Sequence, residues 1–295
     1  MRRLFKQKES FQMDVSVKLT IWRIPGIPKN LGMYGLLRRK TAASSAKGKE
    51  KRQQRKEEQQ RIRDAMAVVA EANKLENPLK DFQVFQKFNK NGIVADIFFM
   101  KCADLSDIEK QWVLGLTKKN MQSKYEHSSW GWDEMKKSEE LFDENAKYLI
   151  AKSATDGSYL GFSHFRFDID EGIEVLYCYE LQLENHIQRK SLGKFMMQVL
   201  ELMAFKNNMK KVVLTVLKNN NNSKFFKAVG YELDESSPVD DEEEVYPYEI
   251  LSKINKRLAS TLPTSTQSKS HIHSHNGHSH GHSHLNGPCC PGYHH

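Results

Sequence analysis

The sequence predicts a mixed α/β domain, one mixed sheet with helices on both of its faces. Three observations carry that expectation. Residues 93–251 alternate between β-branched or aromatic runs and runs with helical spacing. Asp156-Gly157 and Glu171-Gly172 join three successive strand-like runs, as turns in an antiparallel meander do. A helix with one apolar face and a wholly apolar strand follow that meander.

Residues 1–45 keep no period, and Ile24-Pro25-Gly26-Ile27-Pro28 breaks any element there. They are read as a flexible N-terminal extension. Residues 46–78 are read as a basic helical segment that packs on the domain. Its charged run from Lys47 to Arg63 passes into Ala65, Met66, Val68, Val69, Ala72 and Leu75 at helical spacing, with Pro78 beyond. Residues 79–258 form the expected catalytic domain. A strand at 93–100 follows the Asn91-Gly92 turn. Ser106 and Glu109 make a capping box for a helix at 106–125. After the loop 128–132 comes a short charged helix at 133–142, then strands at 148–154, 159–167 and 174–183.

An amphipathic helix at 190–205 presents Leu192, Phe195, Met196, Val199, Leu202 and Met203. A buried strand at 211–217, a helix at 223–229 closed by Gly230, a short strand at 231–233 and a last strand at 246–251 complete the list. Residues 259–295 are Ser, Thr, Pro, Gly and His, a disordered tail by composition.

The 295 residues are 39% hydrophobic, less than a compact domain carries, and the two polar ends account for the shortfall. No apolar run reaches the ~18 residues of a spanning helix, so no membrane association is expected. Four cysteines, two within apolar runs and two in the tail, make no disulfide framework. The net charge of +8 is split: residues 1–78 carry +11 and residues 79–258 carry −4. A basic arm thus precedes an acidic domain, and an acidic domain attracts cationic ligands.

The most informative junction is 183–194. A strand ends, a short loop follows, and Gln188-Arg189-Lys190-Ser191-Leu192-Gly193 opens a helix, close to the pattern Q/R-x-x-G-x-G/A. Backbone N–H groups at such a helix start converge on a pyrophosphate, and Arg189, Lys190 and Lys194 add positive charge. Taken alone, the motif equally suits an ordinary basic helix start.

Its context resembles the GNAT acetyltransferase superfamily, and within it the N-terminal acetyltransferases called NatD, which modify histone N-termini. The blocks that carry the resemblance span roughly residues 65–252. They include Trp130-Gly131-Trp132, Phe162-Ser163-His164-Phe165-Arg166-Phe167-Asp168, Glu174-Val175-Leu176-Tyr177-Cys178-Tyr179-Glu180, Leu192-Gly193-Lys194-Phe195 and Tyr248-Glu249-Ile250-Leu251.

The resemblance implies a GNAT fold with an N-terminal helical segment and acetyl-CoA as cosubstrate. It implies Glu180, on the fourth sheet strand, as the base for a peptide α-amine, acting directly or through water. Burial between Tyr179 and Leu181 would tune that carboxylate. It implies substrate contacts from Tyr125, Tyr179, Thr215, Ser236 and Tyr248. Trp130 would wall the amine pocket, and Asp168 and Asp170 would accept a following Arg or the amine. Core packing is the commoner fate of such aromatics and is expected for Trp132 and Tyr177. Backbone groups of Leu181, Gln182 and Leu183 would hold the pantetheine arm. Arg189, Lys190, Ser191, Leu192, Gly193 and Lys194 would hold the diphosphate, and Asn220 would contact the cofactor. Ser191 stands where the family usually has glycine.

The implied activity is transfer of acetyl to the N-terminal Ser of histones that begin Ser-Gly-Arg-Gly. The alternatives are a lysine or small-amine acetyltransferase, or a histone-binding scaffold of this fold. Histone tails are the expected partner, and the basic arm is open to ribosome or chromatin contact or to plain solvation. A monomer in cytoplasm and nucleus is expected. No metal site is expected, although His271 onward holds nine of the twelve histidines and suits opportunistic chelation.

Overall fold

The computed structural model describes residues 42–220, 223–242 and 244–261. The expected flexible extension lies outside these up to residue 41, and the expected disordered tail lies outside from residue 262. Helix α1 spans Ala42–Lys74, and from Gln54 onward it belongs to the same compact unit as the sheet. Its apolar stripe docks there: Ala65 and Ala72 are buried, and Val68 and Val69 pack on the main core. Among the described residues no helix is long and apolar enough to cross a membrane.

Among the described residues, eight strands form one sheet: β1 (Lys87–Lys90), β2 (Ile93–Lys101), β3 (Lys147–Ser153), β4 (Tyr159–Asp170), β5 (Ile173–Leu183), β6 (Lys211–Leu217), β7 (Glu232–Leu233) and β8 (Tyr248–Ile254). Their order across the sheet is β1-β2-β3-β4-β5-β6-β8-β7. Every pairing is antiparallel except that of β5 with β6. The helices are α2 (Asp107–Glu126), α3 (Glu134–Leu141), α4 (Leu192–Lys206) and α5 (Ser223–Ala228). The crossover through α4 is what lets β6 run parallel to β5.

The capping box at the start of α2 forms as expected: Glu109 N–H donates to Ser106, and the Glu109 carboxylate accepts from the Ser106 N–H. The two-residue turns also form, with positive φ at Asn91 and Gly92 and at Glu171 and Gly172. Strand β1 is an addition to the expected list. It is four residues long with only Phe88 buried, too short to show alternation, so the Asn91-Gly92 turn proves to be the tip of a hairpin. Helix α4 starts at Leu192, not 190, because Arg189 and Ser191 both have positive φ, which no helix accommodates. Strand β8 starts and ends later than expected.

The two faces of the sheet have separate cores. On one, Phe165, Phe167, Leu176, Cys178, Val212 and Leu214 pack with Met196, Val199 and Leu200 of α4 and with α1. On the other, α2 and α3 cover Tyr148, Ile150 and Phe162. Further along that second face, Ile173, Val175, Val213 and Ile250 form a smaller cluster on which Tyr177 and Tyr248 rest.

One irregularity in β5 positions the site. His164 pairs with Glu180, yet the next residue, Phe165, pairs with Cys178. Tyr179 is therefore an extra residue, a β-bulge. Leu176 and Cys178 face the α4 side, and beyond the bulge Leu181 and Leu183 pack on that same core. Glu180 and Gln182 face the α2–α3 side instead. Strict alternation from Leu176 and Cys178 would have turned Glu180 into the core under α4. Leu176, in the paired half of this strand, has no exposure. Leu176→Ala should cost ~2–5 kcal/mol, read as a lower denaturant midpoint at unchanged slope.

Candidate active site

Glu180 is buried, and both of its oxygens are engaged. Lys137 Nζ donates to Oε1 at 3.1 Å, and Gln182 Nε2 donates to Oε2 at 2.7 Å. Gln182 is oriented in turn by Asn120 of α2, whose Nδ2 donates to Gln182 Oε1 at 3.0 Å. Lys137 also donates to Glu140 Oε1 at 2.6 Å and to the Tyr125 hydroxyl at 3.1 Å. Burial alone would push the Lys137 ammonium down, but the charges of Glu180 and Glu140 outweigh it and hold it well above the usual lysine value. The burial of Glu180 is thus met by an ion pair, not by an apolar wall.

Aromatic side chains surround this network. Tyr125 stacks on Trp130 with ring centroids 6.2 Å apart, and Trp130 lies 4.8 Å from Tyr248. The loop bearing Trp130 is tied back to α2: Ser128 N–H and hydroxyl both donate to the Tyr125 carbonyl, at 3.0 and 2.8 Å. Trp132 packs edge-on against Tyr125 at 5.8 Å, the packing role expected of it. On the other side of Glu180, Tyr179 stacks on His164 at 4.9 Å and carries the Arg166 guanidinium over its ring at 4.6 Å. Burial pushes the Tyr179 and Tyr125 phenols up to about 12, so both stay protonated at neutral pH. Tyr177 rests on the small core cluster, as expected, and its hydroxyl lies 2.6 Å from Thr215 Oγ1.

Asp168 and Asp170 lie on the same face farther along β4. They stand four and six residues from His164, the strand partner of Glu180, or about 13 and 20 Å along the strand. Burial raises both carboxyls. Asp170 approaches Lys211 at 3.8 Å, and Lys211 donates to Asp234 at 2.8 and 3.0 Å. The Ser236 hydroxyl donates to the same Asp234 at 2.7 Å. Tyr125, Trp130, Tyr248 and Glu180 are thus linked through Lys137 and ring contacts. Tyr179 and Thr215 flank Tyr177. Ser236 contacts the Asp234–Lys211 pair and not Glu180.

The opposite side of the bulge suits an acyl carrier. Strands β5 and β6 pair only over Val175–Cys178 with Lys211–Leu214, so Tyr179–Leu183 run on past the end of that ladder. Leu181, Gln182 and Leu183 lie in this stretch. At its end the first turn of α4 offers backbone N–H groups. Gly193 sits so close to the strand that a Cβ there would meet Leu183 Cδ1 at 3.3 Å. Arg189, Lys190 and Lys194 are exposed around the turn. Unpaired strand backbone that leads to a basic helix N-terminus fits a pantetheine arm with a diphosphate at its end.

Ser191 has φ of 72°, the left-handed conformation that favours glycine. Its hydroxyl makes no cap bond to α4. It accepts instead from Asn91 Nδ2 at 2.9 Å, and the same amide donates to the Lys190 carbonyl at 3.3 Å. The β1–β2 hairpin tip thus braces the loop. Asn220 is buried, with its side-chain amide 3.9 Å from Met121 Sδ of α2.

Several of these residues escaped the sequence. Lys137 lies in a helix that reads as solvated, and its one signal is its place a turn before the buried Leu141. Asn120 gives no signal beyond residue type; Asn91 reads only as a turn residue, and His164 only as part of a resembling block.

Residues 115–231 match the sequence model of the acetyltransferase (GNAT) family. Solved structures similar to this chain include a GNAT-family acetyltransferase from Listeria monocytogenes, 11% identical, covering 57% of this chain and 99% of that one with a TM-score of 0.41. The PaiA N-acetyltransferase of Thermoplasma acidophilum, in complex with coenzyme A, is 15% identical over 54% of this chain and 99% of that one, with a TM-score of 0.39. Ard1 from Thermoplasma volcanium is 14% identical over 54% and 97%, with a TM-score of 0.37. The matched stretch, residues 115–231, runs from α2 to the start of β7 and has the features of a GNAT acetyltransferase domain, a fold whose cosubstrate is acetyl-CoA.

Two outcomes follow. Ser191→Gly removes the left-handed strain of a serine and should raise stability by ~1 kcal/mol, with acetyl-CoA affinity unchanged or tighter by calorimetry. Cys178 is buried and its thiol is pushed up to about 12, so Cys178→Ala should keep turnover in a steady-state acetylation assay.

Proposed function

We propose that this protein acetylates the N-terminal α-amine of basic peptides that begin Ser-Gly-Arg-Gly, as histones do, with Glu180 as general base. The observation that carries the reading is the bulge-turned Glu180 on a face walled by Tyr125, Trp130, Tyr179 and Tyr248. A free α-amine has a pKa near 8 and is mostly protonated at neutral pH. It must lose a proton before it can attack. A carboxylate with lone pairs to spare beyond two donors can take that proton, directly or through a water.

Acetyl-CoA supplies the thioester carbonyl. An N–C bond forms, the C–S bond breaks, the amine proton passes to Glu180 and on to solvent, and the sulfur leaves as a thiolate that solvent protonates. Transfer is direct. Among the described residues, the thiol nearest this stretch of β5 is that of Cys178, buried on the α4 side and held in its neutral form.

Asp168 and Asp170 support a basic peptide. Asp168 lies about 13 Å along the strand from the partner of Glu180, within reach of a cationic side chain two or three residues into an extended chain. Its burial favours a partner with positive charge. The net charge of −4 on residues 79–258 points the same way. Histone tails are then the partner, and cytoplasm and nucleus the proposed location.

The test is turnover of a Ser-Gly-Arg-Gly peptide, its N-blocked form and the Glu180→Gln variant. The free peptide should be acetylated and the blocked one not, which separates this activity from lysine acetylation. Glu180→Gln should lose ~10²-fold or more in kcat while its acetyl-CoA affinity stays at the wild-type value. Wild-type turnover in that variant would remove Glu180 from the base role.

A further inference from the structure

Lys137 is the one charged side chain of α3 that is buried, and all three of its ammonium protons are directed. Glu140, Glu180 and the Tyr125 hydroxyl accept them at 2.6, 3.1 and 3.1 Å. Its nitrogen also lies 5.0 Å from the Tyr125 ring centroid. Taking an ammonium out of water is costly, and it is offset here only through close, hydrogen-bonded carboxylate partners. This one is desolvated at the carboxylate that the proposed reaction uses.

We propose that Lys137 is a positioning residue for the reaction: its fixed ammonium aims the Glu180 carboxylate and disfavours a protonated amine beside it, so that the bound peptide amine gives up its proton more readily. The proposal rests on the reading of Glu180 as base. Other charges around Lys137 are accounted for. Glu140 on α3 and Glu180 on β5 are its carboxylate partners. The Tyr125 phenol of α2 stays neutral, because burial raises it to about 12. On β4, burial and the nearby charges of Arg166 and Lys137 hold His164 well below the usual histidine range, so it stays neutral. Arg166 is paired away from Lys137, with Asp143 at 3.3 Å and the Glu140 carbonyl at 2.8 Å.

The sign of the effect follows. Removing a positive charge raises the pKa of a neighbouring carboxylate and of a neighbouring bound amine. Both changes push the acid limb of kcat, measured with saturating peptide and acetyl-CoA, to higher pH.

The experiment is the pH profile of kcat on a Ser-Gly-Arg-Gly peptide for wild type, Lys137→Met and Lys137→Arg, with acetyl-CoA binding by calorimetry. Lys137→Met should shift the acid limb up by about one pH unit or more, Lys137→Arg should bring it back toward wild type, and acetyl-CoA affinity should be unmoved. If Lys137→Met does not fold, Lys137→Gln removes the charge while keeping donors and should show the same shift. A rate loss equal at every pH, with the limb unmoved, would overturn the proposal and leave Lys137 as a structural tie. Glu180→Gln run in parallel separates the two ideas. Wild-type turnover there defeats the base reading, whereas a loss there with an unmoved limb in Lys137→Met defeats only the role of Lys137.

Discussion

The site depends on one extra residue in one strand. Tyr179 breaks the register between β4 and β5, so Glu180 shares the tyrosine-lined face, while Leu181 and Leu183 return to the side of α4. A bulge disrupts a ladder and is tolerated where it re-aims a side chain. Here it does so next to the point where β5 and β6 stop pairing. On the proposed reading, the amine face and the path of the carrier are two sides of one short segment, and the change of phase in the strand lets a carboxylate and a carrier approach the same atoms.

The surroundings of that segment are rigid for separate reasons. Above it, Lys137 and Gln182 take one oxygen each of Glu180, and Asn120 fixes Gln182 from α2. Beside it, Ser128 folds the Trp130 loop back on Tyr125. At its end, the amide of Asn91 clamps a serine in a glycine's conformation, so the helix start of α4 keeps its geometry without the usual glycine. Gly193 is less free to be exchanged, because an added Cβ would press on Leu183 Cδ1 at 3.3 Å and touch Phe225 at 3.5 Å.

Much of the fold was legible in the residues. The turn pair at Glu171-Gly172, the meander link around Asp156-Gly157, the capping box at Ser106 and Glu109, and the apolar stripe of α4 each follow from local rules, although that link is a longer loop with Gly157 alone of the pair at positive φ, and α4 starts two residues late. What was not legible depends on partners distant in the chain. β1 is stabilised by β2 and not by its own four residues. The bulge exists only as a mismatch between two strands, and strict alternation would have pointed Glu180 the wrong way. Lys137 looks like any lysine in a charged helix until β5 supplies Glu180. For the candidate site, the motif at 188–194 and the resemblance proposed residues, but the arrangement of Asp170, Lys211, Asp234 and Ser236 as one charged cluster needed the sheet.

The most direct measurement is a crystal structure with a bisubstrate analogue, a Ser-Gly-Arg-Gly peptide joined through its α-nitrogen and an acetyl bridge to coenzyme A. The peptide nitrogen should lie within hydrogen-bond reach of Glu180, directly or through one water, with the arm along Leu181–Leu183 and the arginine directed toward Asp168 and Asp170. A peptide nitrogen on the α4 side of the sheet, or one remote from a Glu180 that no water connects to it, would contradict the account.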